Sequence, residues 1–120
     1  MIRNKMKKNK HFLFSYGTLQ LEQVQVNNYG RLLTGKKDHL SSYKLEKLKI
    51  TDKEVIAKSG KEYHPIAIKT NNPNDFIEGT IFEITESELK ETDKYEVGDY
   101  KRILETFSSG QQAWVYIAVE

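Results

Sequence analysis

The sequence predicts one α+β domain built on a mostly antiparallel sheet. Three observations carry that expectation. Strand-like segments outnumber helical ones and are divided by short turns. One helix start is written clearly: Glu88 follows Thr85 by three residues, so the hydroxyl can accept a free first-turn amide while the carboxylate reaches back to the threonine N–H. The chain then closes on a hairpin, residues 101–107 and 112–119, joined by Ser108-Ser109-Gly110-Gln111. A length of 120 residues suits one domain with one core.

The elements follow in order. Residues 1–10 hold Arg3, Lys5, Lys7, Lys8 and Lys10, and are expected to form a disordered, solubilising basic tail ahead of a domain at residues 11–120. Residues 11–16 read as a strand through Phe12-Leu13-Phe14 that breaks at Gly17, where glycine lets the chain turn and expose its amides. Residues 21–29 read as a short helix ending at Asn27-Asn28-Tyr29-Gly30. Residues 31–34 and 39–50 are strand-like. Within them, Tyr43 and Leu45 alternate out of phase with Leu48 and Ile50, which calls for a bulge or turn near Lys47.

Residues 51–63 read as a polar excursion with a turn signal at Ser59-Gly60 and a strand fragment at 54–57. Pro65-Ile66-Ala67-Ile68 resumes a strand, and Asn71-Asn72-Pro73-Asn74-Asp75 is a loop. Residues 79–84 form the next strand, with Ile81 and Glu83 on one face and Phe82 and Ile84 on the other.

Composition narrows the chemistry. The chain has no cysteine, which excludes a disulfide framework, a thiol nucleophile and a thiolate zinc site, and is compatible with a reducing, cytoplasmic location. Lys and Arg number 19 against 17 Asp and Glu, an excess too small to imply nucleic acid. Phe12-Leu13-Phe14 is too short for a signal segment or a membrane span. His11, His39 and His64 lack ligand spacing, so no metal site is expected. No serine sits in a nucleophile-elbow context.

Four groups of residues remain as candidates. Leu89, Thr92, Asp93 and Glu96 share one helix face by spacing. If that face packs on the sheet, Asp93 and Glu96 point inward, and desolvation raises a carboxyl pKa as a general base near neutrality requires. If the face is exposed or the helix frays after Lys94, they are ordinary solvated acids. The amides after Tyr16 in Tyr16-Gly17-Thr18-Leu19 can converge on an anion or a developing oxyanion, with Thr18 adding a hydroxyl; otherwise the glycine merely ends a strand. Tyr100, Arg102, Leu104 and Thr106 alternate on one face. An inward Arg102 needs a carboxylate, from Asp93, from Glu96 or from a substrate; an outward one is a surface residue beside a tyrosine. Trp114 and Tyr116 share a face of the last strand, as core or as a pocket wall.

These segments, in this order, resemble the γ-glutamylcyclotransferase-like (AIG2-like) family. The likeness runs from Phe12 to Val119. It is carried by Tyr16-Gly17-Thr18-Leu19, Tyr63-His64-Pro65-Ile66, Glu78-Gly79-Thr80-Ile81-Phe82-Glu83-Ile84, Asp93-Lys94-Tyr95-Glu96, Tyr100-Lys101-Arg102 and Ala113-Trp114-Val115-Tyr116-Ile117. The resemblance implies a small β-barrel flanked by a few helices, with a cavity at one side. It implies a small-molecule γ-glutamyl substrate held by main-chain groups of the Tyr16–Leu19 loop, with Glu96 as the acid–base residue and no cofactor. The implied reaction is attack of the substrate's α-amine on its own γ-carbonyl, giving 5-oxoproline and a free amine. Two positions depart from the family pattern: Gln20 stands where a basic residue is frequent, and Val97 where glycine is frequent, with Gly98 one position later. Two other readings stand beside the enzyme: a non-catalytic binding module on the same fold, and a nucleic-acid accessory protein using the basic arm.

Overall fold

The structure is a computed structural model that describes residues 10–49, 53, 57, 63–96 and 98–119. Residues 1–9 of the expected tail, residues 54–56 of the strand fragment expected at 54–57, the turn expected at Ser59-Gly60 and Val97 lie outside the described residues; Ala57, the last residue of that fragment, is helical rather than extended. In order come β1 (Lys10–Ser15), a 3-10 turn (Thr18–Gln20), α1 (Glu22–Tyr29), β2 (Thr34–Ser41), β3 (Tyr43–Lys49), β4 (Tyr63–Lys69), β5 (Phe76–Thr85), α2 (Glu86–Tyr95), β6 (Tyr100–Thr106) and β7 (Gln112–Ala118). The α+β class is as the sequence predicts. One five-stranded sheet has the order β2-β5-β1-β7-β6, and β3 pairs with β4 in a second sheet. Every pairing is antiparallel except that of β1 with β7.

The barrel implied by the resemblance is not closed by backbone pairing among the described residues. β4 lies against β7, and tyrosine side chains make the join. The Tyr16 hydroxyl donates to the Tyr116 carbonyl on β7 at 2.5 Å and accepts from the Ala67 amide on β4 at 3.1 Å. The Tyr100 hydroxyl on β6 donates to the Pro65 carbonyl on β4 at 2.8 Å. Each bond satisfies a backbone group that a ladder would otherwise have to serve.

The length suggests a single core, but the buried apolar residues form two clusters, because alternate residues of the central strands face opposite sides. Phe14, Ile77, Ile81, Val115 and Ile117 fill one cluster with Tyr43 and Ala67 of the second sheet. Leu13, Phe82, Ile84 and Tyr116 fill the other beneath Val24 of α1 and Leu89 and Tyr95 of α2.

The phase change between Tyr43 and Leu48 is not resolved at Lys47, which stays in register opposite Pro65. The chain turns earlier, at Ser42, whose φ of 69° breaks the strand between β2 and β3. The helix ends are as the sequence predicts. α1 stops at Gly30 in the left-handed region, φ 72°, with its amide bonded to the Val26 carbonyl. α2 begins with the Thr85–Glu88 capping box, both halves formed. Arg31 grips the same Glu88 at 2.6 and 2.7 Å and is the main reason its pKa falls below the usual value.

Candidate active site

The strand β1 delivers the first wall of the site. Gly79 of β5 lets it do so: a Cβ there would stand 2.3 Å from the Ser15 carbonyl and 2.7 Å from the Phe14 ring. After Ser15 the chain leaves the sheet through Tyr16 and Gly17 into the 3-10 turn. The bonds of that turn start at the Gln20 and Leu21 amides, which leaves the Thr18 and Leu19 amides outside its pattern. Gly17 is used differently from the sequence expectation. Its φ is −131°, a value open to other residues, and a Cβ there would make only an ordinary 3.4 Å contact with Pro65.

The second wall comes from the end of α2. Leu89, Thr92 and Tyr95 are its buried residues. The helix stops at Tyr95, and Glu96 takes an extended backbone, ψ 131°, while its amide still closes the last turn onto the Thr92 carbonyl. This exit separates the two acids that shared a face by spacing. Glu96 joins the cavity lining. Asp93 turns toward β6 and forms a two-pronged ion pair with Arg102, at 2.9 and 3.1 Å.

The cavity is small, about 30 Å³. Its walls are Ser15 and the Tyr16-Gly17-Thr18-Leu19 loop, His64 and Pro65 of β4, Glu96, Tyr100 and Tyr116, with Phe14 behind. Glu96 is half-buried as a residue and lines the cavity, with its carboxyl crowded by protein atoms. Loss of water there pushes its pKa up to about 8, with desolvation the only cause. No described residue donates a hydrogen bond to it. The tyrosines around it are shifted the same way: burial pushes Tyr16 and Tyr100 well above the ordinary phenol value, followed by the charge of Glu96 at Tyr100 and by the charges of Tyr100 and then Glu96 at Tyr16. Tyr116 is raised by burial and by its bond to Asp93.

The candidate residues Tyr16, Gly17, Thr18, Leu19, Glu96, Tyr100 and Tyr116 therefore meet in one place. Thr18 is partly committed elsewhere, since its hydroxyl shares a buried 2.7 Å hydrogen bond with Tyr95. Arg102 is the exception. It does not line the cavity, and its guanidinium lies 4.4 Å from the centre of the Trp114 ring as well as on Asp93. That is the Asp93 pairing the sequence allowed, and not a free cation waiting for a substrate. Sequence reasoning singled out neither His64, Pro65 nor Ser15 as site residues. His64-Pro65 was visible as part of a shared motif, and Tyr116 as the partner of Trp114 in alternation; Ser15 carried no signal. Among the described residues no group of histidines and acids could hold a metal ion, and no helix is long and apolar enough to cross a membrane.

Comparison with known proteins adds the lineage. Residues 13–120 match the family model described as gamma-glutamyl cyclotransferase, AIG2-like. No curated protein matches the sequence. Among solved structures, the chain is similar to a protein described as gamma-glutamyl cyclotransferase, with TM-score 0.68 and 15% identity over 92% of this chain and 68% of that one. It is similar to At3g28950.1 from Arabidopsis thaliana, with TM-score 0.70 and 19% identity over 92% of this chain. It is also similar to the uncharacterized protein loc79017 from Homo sapiens, with TM-score 0.72 and 18% identity over 93% of this chain and 68% of that one. The match spans only 62% of the length of the Arabidopsis protein. At these identities the likeness is one of fold.

Proposed function

The chain belongs to the gamma-glutamyl cyclotransferase, AIG2-like family, and from that premise we propose that it is an enzyme that cleaves a γ-glutamyl amide by intramolecular aminolysis. One observation carries the reading: the Glu96 carboxyl and the Tyr16-Gly17-Thr18-Leu19 loop line the same cavity. Glu96 as carboxylate takes a proton from the substrate's α-ammonium. The freed amine attacks the γ-carbonyl carbon and the amide C–N bond breaks; the departing nitrogen takes the proton back from Glu96 and also the second proton that the attacking nitrogen sheds as the lactam forms, and leaves as an ammonium. The products are 5-oxoproline and that amine, with no atom or electron left over. The Thr18 and Leu19 amides, outside the turn's own bonds, serve the oxyanion or the α-carboxylate.

The nucleophile belongs to the substrate, so the protein's tasks are to fold the glutamyl arm and to move one proton. Positioning supplies up to ~7–11 kcal/mol in favourable cases, against roughly 10²–10⁴-fold for acid–base help. The pKa of about 8 suits the second task. At pH 7 about one molecule in ten holds Glu96 as the base, and the rest hold it as an acid ready to donate.

A cavity of about 30 Å³ has room for about one water, whereas ligand pockets run to roughly 300–1,000 Å³. The site must therefore open further to admit a glutamyl group. The second reading is a binding module that captures a γ-glutamyl compound without turning it over. Incubating the protein with a panel of γ-glutamyl amides and following 5-oxoproline by mass spectrometry separates the two. The enzyme releases 5-oxoproline and free amine in equal amounts. A bound ligand recovered intact from every member of the panel would support the binding module instead.

A further inference from the structure

Three tyrosines line the Glu96 cavity, and the hydroxyl of each sends its proton to a partner other than Glu96. Tyr16 donates to the Tyr116 carbonyl, Tyr100 to the Pro65 carbonyl, and Tyr116 to Asp93 Oδ1 at 2.5 Å. A phenol has only one proton to give, so each of these bonds removes a donor from Glu96. Two of the acceptors are backbone carbonyls. The third, Asp93, is a side chain of the same Asp93-Lys94-Tyr95-Glu96 segment, and it is itself fixed by Arg102, whose guanidinium rests on Trp114.

We propose that Asp93 is a positioning residue: it holds the Tyr116 hydroxyl as a donor turned away from Glu96, so that the Glu96 carboxyl stands in the cavity with no hydrogen-bond donor. The inference rests on the catalytic role proposed for Glu96 and explains how the fold keeps that role available. A carboxylate that accepts hydrogen bonds is stabilised and becomes a weak base; one without donors stays basic. Tyr116 lines the same cavity as Glu96 and feels its charge, so a Tyr116 hydroxyl released from Asp93 is free to turn toward Glu96.

The other groups facing Glu96 leave this role to Tyr116. From α1, the Tyr29 hydroxyl donates to Thr92, whose own proton goes to the Glu88 carbonyl. Next to Glu96 in sequence, the Tyr95 hydroxyl shares a bond with Thr18. From β4, His64 borders the cavity beside Pro65. Among the described residues around the cavity, Asp93 is thus the acid that takes a tyrosine proton.

The test is a pH titration of the Glu96 side-chain carboxyl by carbon NMR on the full chain, assigned by its loss in Glu96→Gln, with the His64 ring followed in the same samples. Asp93→Ala is expected to lower the Glu96 midpoint by about one pH unit. Asp93→Asn, whose carbonyl oxygen still accepts the hydroxyl, stays near wild type, as does Tyr116→Phe. Adding Tyr116→Phe to Asp93→Ala returns the midpoint toward wild type. The proposal is overturned if Asp93→Ala leaves the midpoint in place, or if the double variant stays as low as Asp93→Ala, which would assign the shift to the unpaired Arg102 charge. It is equally overturned, even if Asp93→Ala does not fold, by a raised midpoint in Tyr116→Phe, since Tyr116 would then already be serving Glu96. No turnover enters the measurement. A protein that makes no 5-oxoproline would remove the catalytic reading and leave this result standing, and an unchanged midpoint in an active enzyme would remove only this inference.

Discussion

At Glu96 two demands meet: the side chain must be dry enough to be basic and close enough to substrate to act. Burial sets its pKa at about 8, so the account makes two pH predictions. The first concerns rate. The base form grows as pH rises, so kcat/KM for 5-oxoproline release climbs about tenfold per unit below pH 8 and levels above it. A flat profile from pH 6 to 9 would show that another group moves the proton. The second concerns stability, and its sign is opposite to that of a salt-bridged acid. The native pKa is raised from an ordinary 4.5, so between 4.5 and about 8 the folded state binds more protons than the unfolded state. This group's stabilising contribution is whole below pH 4.5 and is lost as pH rises through 8, by at most about 5 kcal/mol. Wild-type Tm should fall over that window while Glu96→Gln stays level; parallel curves would mean the carboxyl is solvated. Arg102 belongs to the scaffold. Arg102→Ala should cost about 1 kcal/mol through the lost ring stacking and ion pair, with the Michaelis constant unchanged. A raised constant at unchanged Tm would return Arg102 to the substrate.

Elements matter here mainly by where they end. β1 must stop with Ser15 close over Gly79 for the loop to reach the cavity. Gly79→Ala should therefore destabilise by about 1–3 kcal/mol and reduce turnover together; a folded variant with wild-type Tm and rate would mean the close approach carries no function. α2 must stop at Tyr95, because one more helical residue would carry Glu96 along the helical face instead of into the cavity lining. Much of this was legible. The capping box at Thr85, the glycine stop at Gly30 and the hairpin around Gly110 are local chemistry, and local chemistry is written in adjacent residues. The turn at Ser42 was not, since serine in a left-handed conformation gives no Gly or Asn signal. The split between Asp93 and Glu96 was hidden for a similar reason: spacing continues a helix that the backbone has already left.

At the scale of the whole molecule, the site draws on β1, β4, the end of α2, β6 and β7 among the described residues. No strand periodicity announces such a meeting, because the join between β4 and the large sheet is made by the hydroxyls of Tyr16 and Tyr100. Candidate residues from the loop, from Glu96 and from Tyr100 were found from sequence through motif and resemblance; His64, Pro65 and Ser15 needed the fold to bring them together. The decisive measurement is 5-oxoproline release at pH 8 by wild-type protein and by Glu96→Gln of matched Tm, on the same γ-glutamyl amide. The account predicts product from the wild type and roughly a 10²–10⁴-fold slower rate from the variant. Equal rates in the two proteins would contradict it.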